Sequence, residues 1–98
     1  MKERNIFITI SHLDDFNSAA FLKPGDLLTL KKDRNNLYDD EAIVVLKDQM
    51  KCGYVANSVY SVMRGTCSAG RVYDQIKDDA LCIIRFMNQE LLIAQIAE

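Results

Sequence analysis

The chain contains no tryptophan, one histidine, one proline and four glycines in 98 residues. Each shortage removes a class of chemistry. Gly25, Gly53, Gly65 and Gly70 are too scattered for a phosphate-cradling loop of the dinucleotide or P-loop kind. The lone His12 has no serine or cysteine nucleophile in a recognisable setting. Cys52, Cys67 and Cys82 are an odd number without a CxxC pair, so neither a disulfide framework nor a zinc site is expected. Reduced thiols in a cytoplasmic protein are the expectation. Long apolar runs are missing too. The first run, Ile6–Ile10, is too short for a signal-peptide core, and no stretch approaches a membrane span. Nor is there an excess of basic charge, since 12 Lys and Arg face 14 Asp and Glu. A global basic field of the kind nucleic-acid binders usually carry is absent, although a local groove remains compatible with that balance.

Acidic residues are present but poorly placed for catalysis. Asp14-Asp15, Asp39-Asp40-Glu41 and Asp78-Asp79 are neighbours in sequence, and adjacent side chains on a strand point to opposite faces. A calcium loop beginning at Asp33 fails because Tyr38 stands where the tight turn needs glycine. The expectation is a non-enzyme without metal or cofactor.

Apolar residues make up 49% of the chain, enough for one core and one domain over residues 1–98. A domain this size buries roughly 60–65% of its unfolded surface. Alternation predicts strands at Ile6–Ile10 and at Leu27–Lys32, where Leu28 and Leu30 face inward. Lys23-Pro24-Gly25-Asp26 reads as a turn, with proline fixing one φ and glycine accepting a positive one. Ala42–Leu46, apolar on both faces, predicts a central strand, joined by a hairpin at residues 47–50 to Lys51–Val55. Asn57 or Ser58 is the expected cap of a short helix carrying Val59, Val62 and Met63 on one face and ended by Gly65. Arg71–Lys77 reads as a weak strand and Ala80–Met87 as a strong one. Leu91–Ile96 is assigned to a strand because it is short and follows a tight turn. Together these predict a mainly-β protein, a small OB-like or SH3-like barrel of about six strands with one short α-helix, since closure removes exposed edges.

Two polar clusters stand out. Lys31-Lys32-Asp33-Arg34-Asn35-Asn36-Leu37-Tyr38-Asp39 joins cations for phosphates, an aromatic face for a base, and amides and an acid for sugar or base edges. The same residues are compatible with a plain turn, in which Asn35 and Asn36 satisfy local backbone groups, Asp39 caps, and Tyr38 plugs the barrel end. Arg64-Gly65-Thr66-Cys67-Ser68-Ala69-Gly70-Arg71 places two arginines around small residues, suited to an anion or to a helix stop followed by a flexible connection.

Gly25-Asp26, Leu28, Leu30, the run Asn35-Asn36-Leu37-Tyr38-Asp39-Asp40-Glu41-Ala42-Ile43, and Gly53-Tyr54-Val55 resemble the HIRAN domain. Tyr54–Ser58, Arg64-Gly65-Thr66, Ser68–Arg71 and Tyr73-Asp74 are similar to its small stand-alone bacterial type. The resemblance implies an OB-like barrel with a helix, found alone or fused to remodelling ATPases and nucleases. It implies binding of single-stranded DNA with capture of the 3′-hydroxyl end. Tyr38 would then stack on the terminal base and Asp39 would bond the 3′-hydroxyl. Asn35, Asn36, Arg34, Tyr54, Arg64 and Arg71 complete the expected interface. The chain departs from the family at Asp14-Asp15-Phe16, where an arginine and paired aromatics are usual, at Asn57, near a usual lysine, and at Leu37, a usual proline. The competing expectation, from the acidic balance and the missing cations, is an adaptor that docks a protein, such as a DNA-processing enzyme.

Overall fold

The alternating and doubly apolar segments form six antiparallel strands in a computed structural model that describes residues 1–98. They are β1 (Glu3–Ser11), β2 (Leu27–Lys32), β3 (Ile43–Lys47), β4 (Met50–Val55), β5 (Ala80–Met87) and β6 (Leu92–Ala97). Around the barrel the order is β1-β4-β3-β2-β5-β6, closed by pairing of β6 with β1 in a register that sets Ile8 opposite Ala94. Every strand therefore has two neighbours, although β1 meets β4 only at Ile10↔Val55 and Ser11↔Tyr54, with Cys67 bridging to Ile8 further along. Register shifts in β1 before Phe7, in β4 at Cys52 opposite Val45/Leu46 and in β5 at Ile84/Phe86 add the local bend that a six-stranded closure needs.

The inward positions are aliphatic. Ile8, Ile10, Leu28, Leu30, Ile43, Val45, Ile84, Leu92 and Ile96 are fully buried. Each such side chain contributes roughly 1.5–3 kcal/mol on burial. Leu13, in a 3₁₀ turn at Leu13–Phe16, closes the core below β4. Gly53 is required by packing: a Cβ there would meet the Ser11 carbonyl oxygen at 2.4 Å, so β4 approaches the end of β1 only because that residue has no side chain. The turn before β2 takes the predicted form, with Gly25 at φ +94 and the Asp26 N–H donating to the Lys23 carbonyl. The architecture is the small, mainly-β, OB-like barrel with one short helix. No helix is long and apolar enough to cross a membrane.

Two elements differ from the sequence expectation. Residues 58–66 form two successive turns, one closed on the Ser58 carbonyl and one on the Met63 carbonyl, not a helix. Ser58 caps the first as expected, its Oγ accepting from the Tyr60 N–H, but Val59 and Tyr60 point into solvent. The buried Thr9 hydroxyl accepts the Met63 N–H at 3.1 Å, and the Cys67 N–H donates to the Phe7 carbonyl at 2.7 Å. These bonds strap the segment across β1 and leave the helix no room to propagate. The short helix, α1 (Ala69–Val72), lies where a weak strand was expected. The Ser68 hydroxyl caps it by accepting from the Arg71 N–H, and Ala69, Val72 and Ile76 turn inward at helical spacing.

Candidate functional site

The loop Asp33–Ala42 between β2 and β3 organises itself through its own side chains. The Asn36 Oδ1 accepts the N–H groups of Tyr38 (2.9 Å) and Asp39 (3.0 Å), and the Asp39 Oδ1 accepts that of Glu41 (2.9 Å). The turn chemistry expected of this segment is therefore present. Its result is display: Leu37 is 90% exposed and Tyr38 is 96% exposed, so the ring does not plug the barrel.

Asn57, which leaves β4 beside this loop, ties three elements together. Its Nδ2 donates to the Asp39 Oδ2 at 3.0 Å and reaches the Glu41 Oε1 at 3.5 Å, while its Oδ1 accepts the Gly70 N–H at 2.8 Å. A Cβ at Gly70 would lie 2.6 Å from the Glu41 carboxylate, the far end of an exposed and flexible side chain, so α1 and the loop meet closely there without glycine being obligatory. Asn57 was expected as an alternative helix cap and as the residue near the usual lysine of the resembled family, and the second of these was the signal of a wider role.

Between these parts lies a cleft of about 500 Å³. Asn36, Tyr38 and Asp39 line it together with Asn57, which bonds Asp39 directly, and Tyr54, His12 and Asp15 complete the lining. Tyr54 is half-buried, meeting the His12 ring edge-on at 6.3 Å and the Phe16 ring at the same separation. Its hydroxyl donates to Asp33 at 3.4 Å; burial first, and then this carboxylate, hold the phenol above its usual pKa. His12 Nδ1 lies 3.2 Å from the Asp15 carboxylate. Asp15 and Asp39 give the lining two acids, and no lysine or arginine joins them.

The cations expected at this site lie elsewhere. Arg34 turns away from the cleft to pair with Asp78, which also accepts the Lys32 N–H; the guanidinium first, and then that N–H, hold the Asp78 carboxyl below the usual range. Lys31 pairs with Asp79 at 3.6 Å, and the Lys32 ammonium sits 4.8 Å above the Tyr73 ring. All three brace the base of the loop against the connection into β5. Asn35 is exposed and does not line the cleft. Arg64 and Arg71 border a second hollow, of about 410 Å³, which shares Asn57 and Ser58 with the first. Tyr60, 97% exposed on the turn between Ser58 and Ser61, is a free aromatic that the helix expectation concealed.

No family model and no curated protein matches this chain. Among solved structures, the crystal structure of a protein from Lactobacillus plantarum, determined by structural genomics, is similar over 99% of this chain and 96% of that one, with a TM-score of 0.61 and 21% identity. At that identity the likeness concerns the barrel fold alone.

Proposed function

We propose that the chain is a non-catalytic, HIRAN-type module that binds the 3′ end of single-stranded DNA in the cleft beside Tyr38. The observation that carries the reading is an aromatic ring 96% exposed at the mouth of a cleft lined by two carboxylates, Asp15 and Asp39, among amide, hydroxyl and imidazole groups. A tyrosine face stacks on any base, worth about 1–3 kcal/mol per base. Asp39 uses two acceptor positions on Glu41 and Asn57. A carboxylate offers about four, which leaves capacity for a sugar hydroxyl. The cleft volume falls in the range of small-ligand sites, about 300–1,000 Å³, and suits one terminal nucleoside. An acidic lining repels phosphate, so the uncharged end of a strand is the part that enters. A cytoplasmic setting alongside a DNA-processing enzyme accords with this role.

Fluorescence anisotropy with oligonucleotides carrying a free or a phosphorylated 3′ end tests the proposal. Expected are binding of the free end at low salt, weaker binding of the blocked end, and a loss of roughly tenfold or more for Tyr38→Ala but not Tyr38→Phe. Equal affinity of wild type and Tyr38→Ala would refute it.

A second reading, a protein-docking adaptor, draws on the acids of the cleft and the exposed pairs Leu37-Tyr38 and Val59-Tyr60. It predicts a pull-down partner retained after nuclease treatment.

A further inference from the structure

Five arginines occur in the sequence, and three are committed to ion pairs: Arg4 with Glu98, Arg34 with Asp78 and Arg85 with Glu3. The two without an acidic partner, Arg64 and Arg71, border the same hollow. They come from different elements, Arg64 from the strap that Thr9 anchors and Arg71 from α1, so the fold and not the sequence alone converges them. No carboxylate lines that hollow. Its remaining walls are Asn57, hydroxyls of Ser58, Thr66 and Ser68, and aliphatic side chains. The neighbouring cleft has the opposite composition, two acids and no lysine or arginine. The shared wall of Asn57 and Ser58 thus separates an anionic compartment from a cationic one.

Such a pair of compartments suits a ligand with an uncharged, donor-bearing end joined to an anion. We propose that the hollow between Arg64 and Arg71 is a phosphodiester subsite, engaging the backbone of the strand whose terminal nucleoside occupies the cleft. The inference rests on the nucleic-acid reading above and adds a direction to it: the strand crosses Asn57 and Ser58 and runs toward α1. Guanidinium forks match phosphate oxygens and are easily desolvated, and the flanking hydroxyls supply further donors. The exposed Tyr60 ring, on the turn that carries Ser58, offers a stacking face to the next base along that path. Net charge explains nothing here. Two cations survive unpaired in a chain of net charge −2 because their neighbours are Ser, Thr, Gly and Asn.

The test is a salt titration of oligonucleotide binding for wild type, the double variant Arg64→Gln/Arg71→Gln, and Arg34→Gln. Circular dichroism confirms that each variant is folded, as expected for exposed side chains. Two phosphates neutralised on a single strand give a slope of log K on log salt near −1.4, from about −0.7 per phosphate. The double variant is expected to lose most of that slope and roughly tenfold in affinity per arginine at low salt, whereas Arg34→Gln keeps the wild-type slope. An oligonucleotide whose two 3′-proximal internal phosphates are replaced by uncharged methylphosphonates should bind wild type as the normal one binds the double variant. Wild-type binding with a slope unchanged in the double variant overturns the subsite and leaves the terminal-nucleoside reading standing. Absence of wild-type binding at low salt overturns both.

Discussion

Two loops border the same cleft and hold their shapes by opposite means. Asp33–Ala42 takes its turn from within: Asn36 and Asp39 satisfy the backbone of their own loop, and Arg34, Tyr54 and Asn57 fasten that preformed turn to its surroundings. Residues 56–68 have few internal bonds of that kind beyond their two turns. They are held from below, by the Thr9 hydroxyl on Met63 and Thr66 and by the Phe7 carbonyl on Cys67. One loop presents Tyr38 through local chemistry, and the other presents Tyr60 and Arg64 through long-range chemistry. Asn57 is the joint between them, and its single amide couples both to α1.

Substitutions should separate the two mechanisms. The largest effect is expected for Thr9→Val, which keeps the shape of a fully buried side chain but leaves the Met63 N–H without its acceptor. A loss of about 2 kcal/mol in denaturant unfolding is expected. Hydrogen exchange at Met63 should accelerate while exchange at Tyr38 and Asp39 stays unchanged. Equal acceleration in both loops would erase the distinction. Asn36→Ala should have the converse pattern and a smaller cost, about 1 kcal/mol, with faster exchange at Tyr38 and Asp39, weaker oligonucleotide binding and no change at Met63. The smallest effect lies at the far end of β2 and β3, remote from both loops. There the Asp26 carboxylate accepts the Lys47 ammonium at 2.9 Å, which holds its pKa below the usual value against the opposing effect of burial. A depressed folded-state pKa stabilises fully above the unfolded value of about 3.8, and that contribution is lost as pH falls through the folded value. Asp26→Asn should therefore lower Tm at neutral pH, by an amount corresponding to about 0.5–1 kcal/mol, with the gap from wild type closing under acid conditions. A gap independent of pH would exclude the ion pair as its origin.

The same contrast explains what the sequence made legible. Strands β2, β3, β5 and β6 follow from alternation or doubly apolar runs, and the turn at Gly25 follows from proline and glycine chemistry, because these signals are local. The Asn36–Asp39 loop was readable for the same reason, both as a turn and as a display of Tyr38. The segment after β4 was not. Its Val59, Val62, Met63 pattern has helical spacing, but the deciding bonds come from Thr9, some fifty residues away. Ala69 and Val72 face inward from α1 and Ile76 follows one turn on, but a helix of four residues carries too little periodicity to displace the strand reading of Arg71–Lys77. Charge placement was legible only in part. Three cations beside a tyrosine suggested a phosphate site, yet Asp78, Asp79 and Tyr73 claim them. Which arginines remain free depends on the closed fold. Burial of Cys82 is another consequence visible only there: its thiol is pushed up to about 12 and stays protonated at neutral pH.

The most direct measurement is a backbone-amide NMR titration of the intact chain with a short single-stranded oligonucleotide bearing a free 3′-hydroxyl. Resonances of Asn36, Tyr38, Asp39, Tyr54 and Asn57 are predicted to shift first and saturate together, with Arg64, Gly65 and Arg71 following as the strand lengthens. Shifts confined to the opposite end of the barrel around Asp26 and Lys47, or a spectrum indifferent to the oligonucleotide at low salt, would contradict a nucleic-acid role for the cleft.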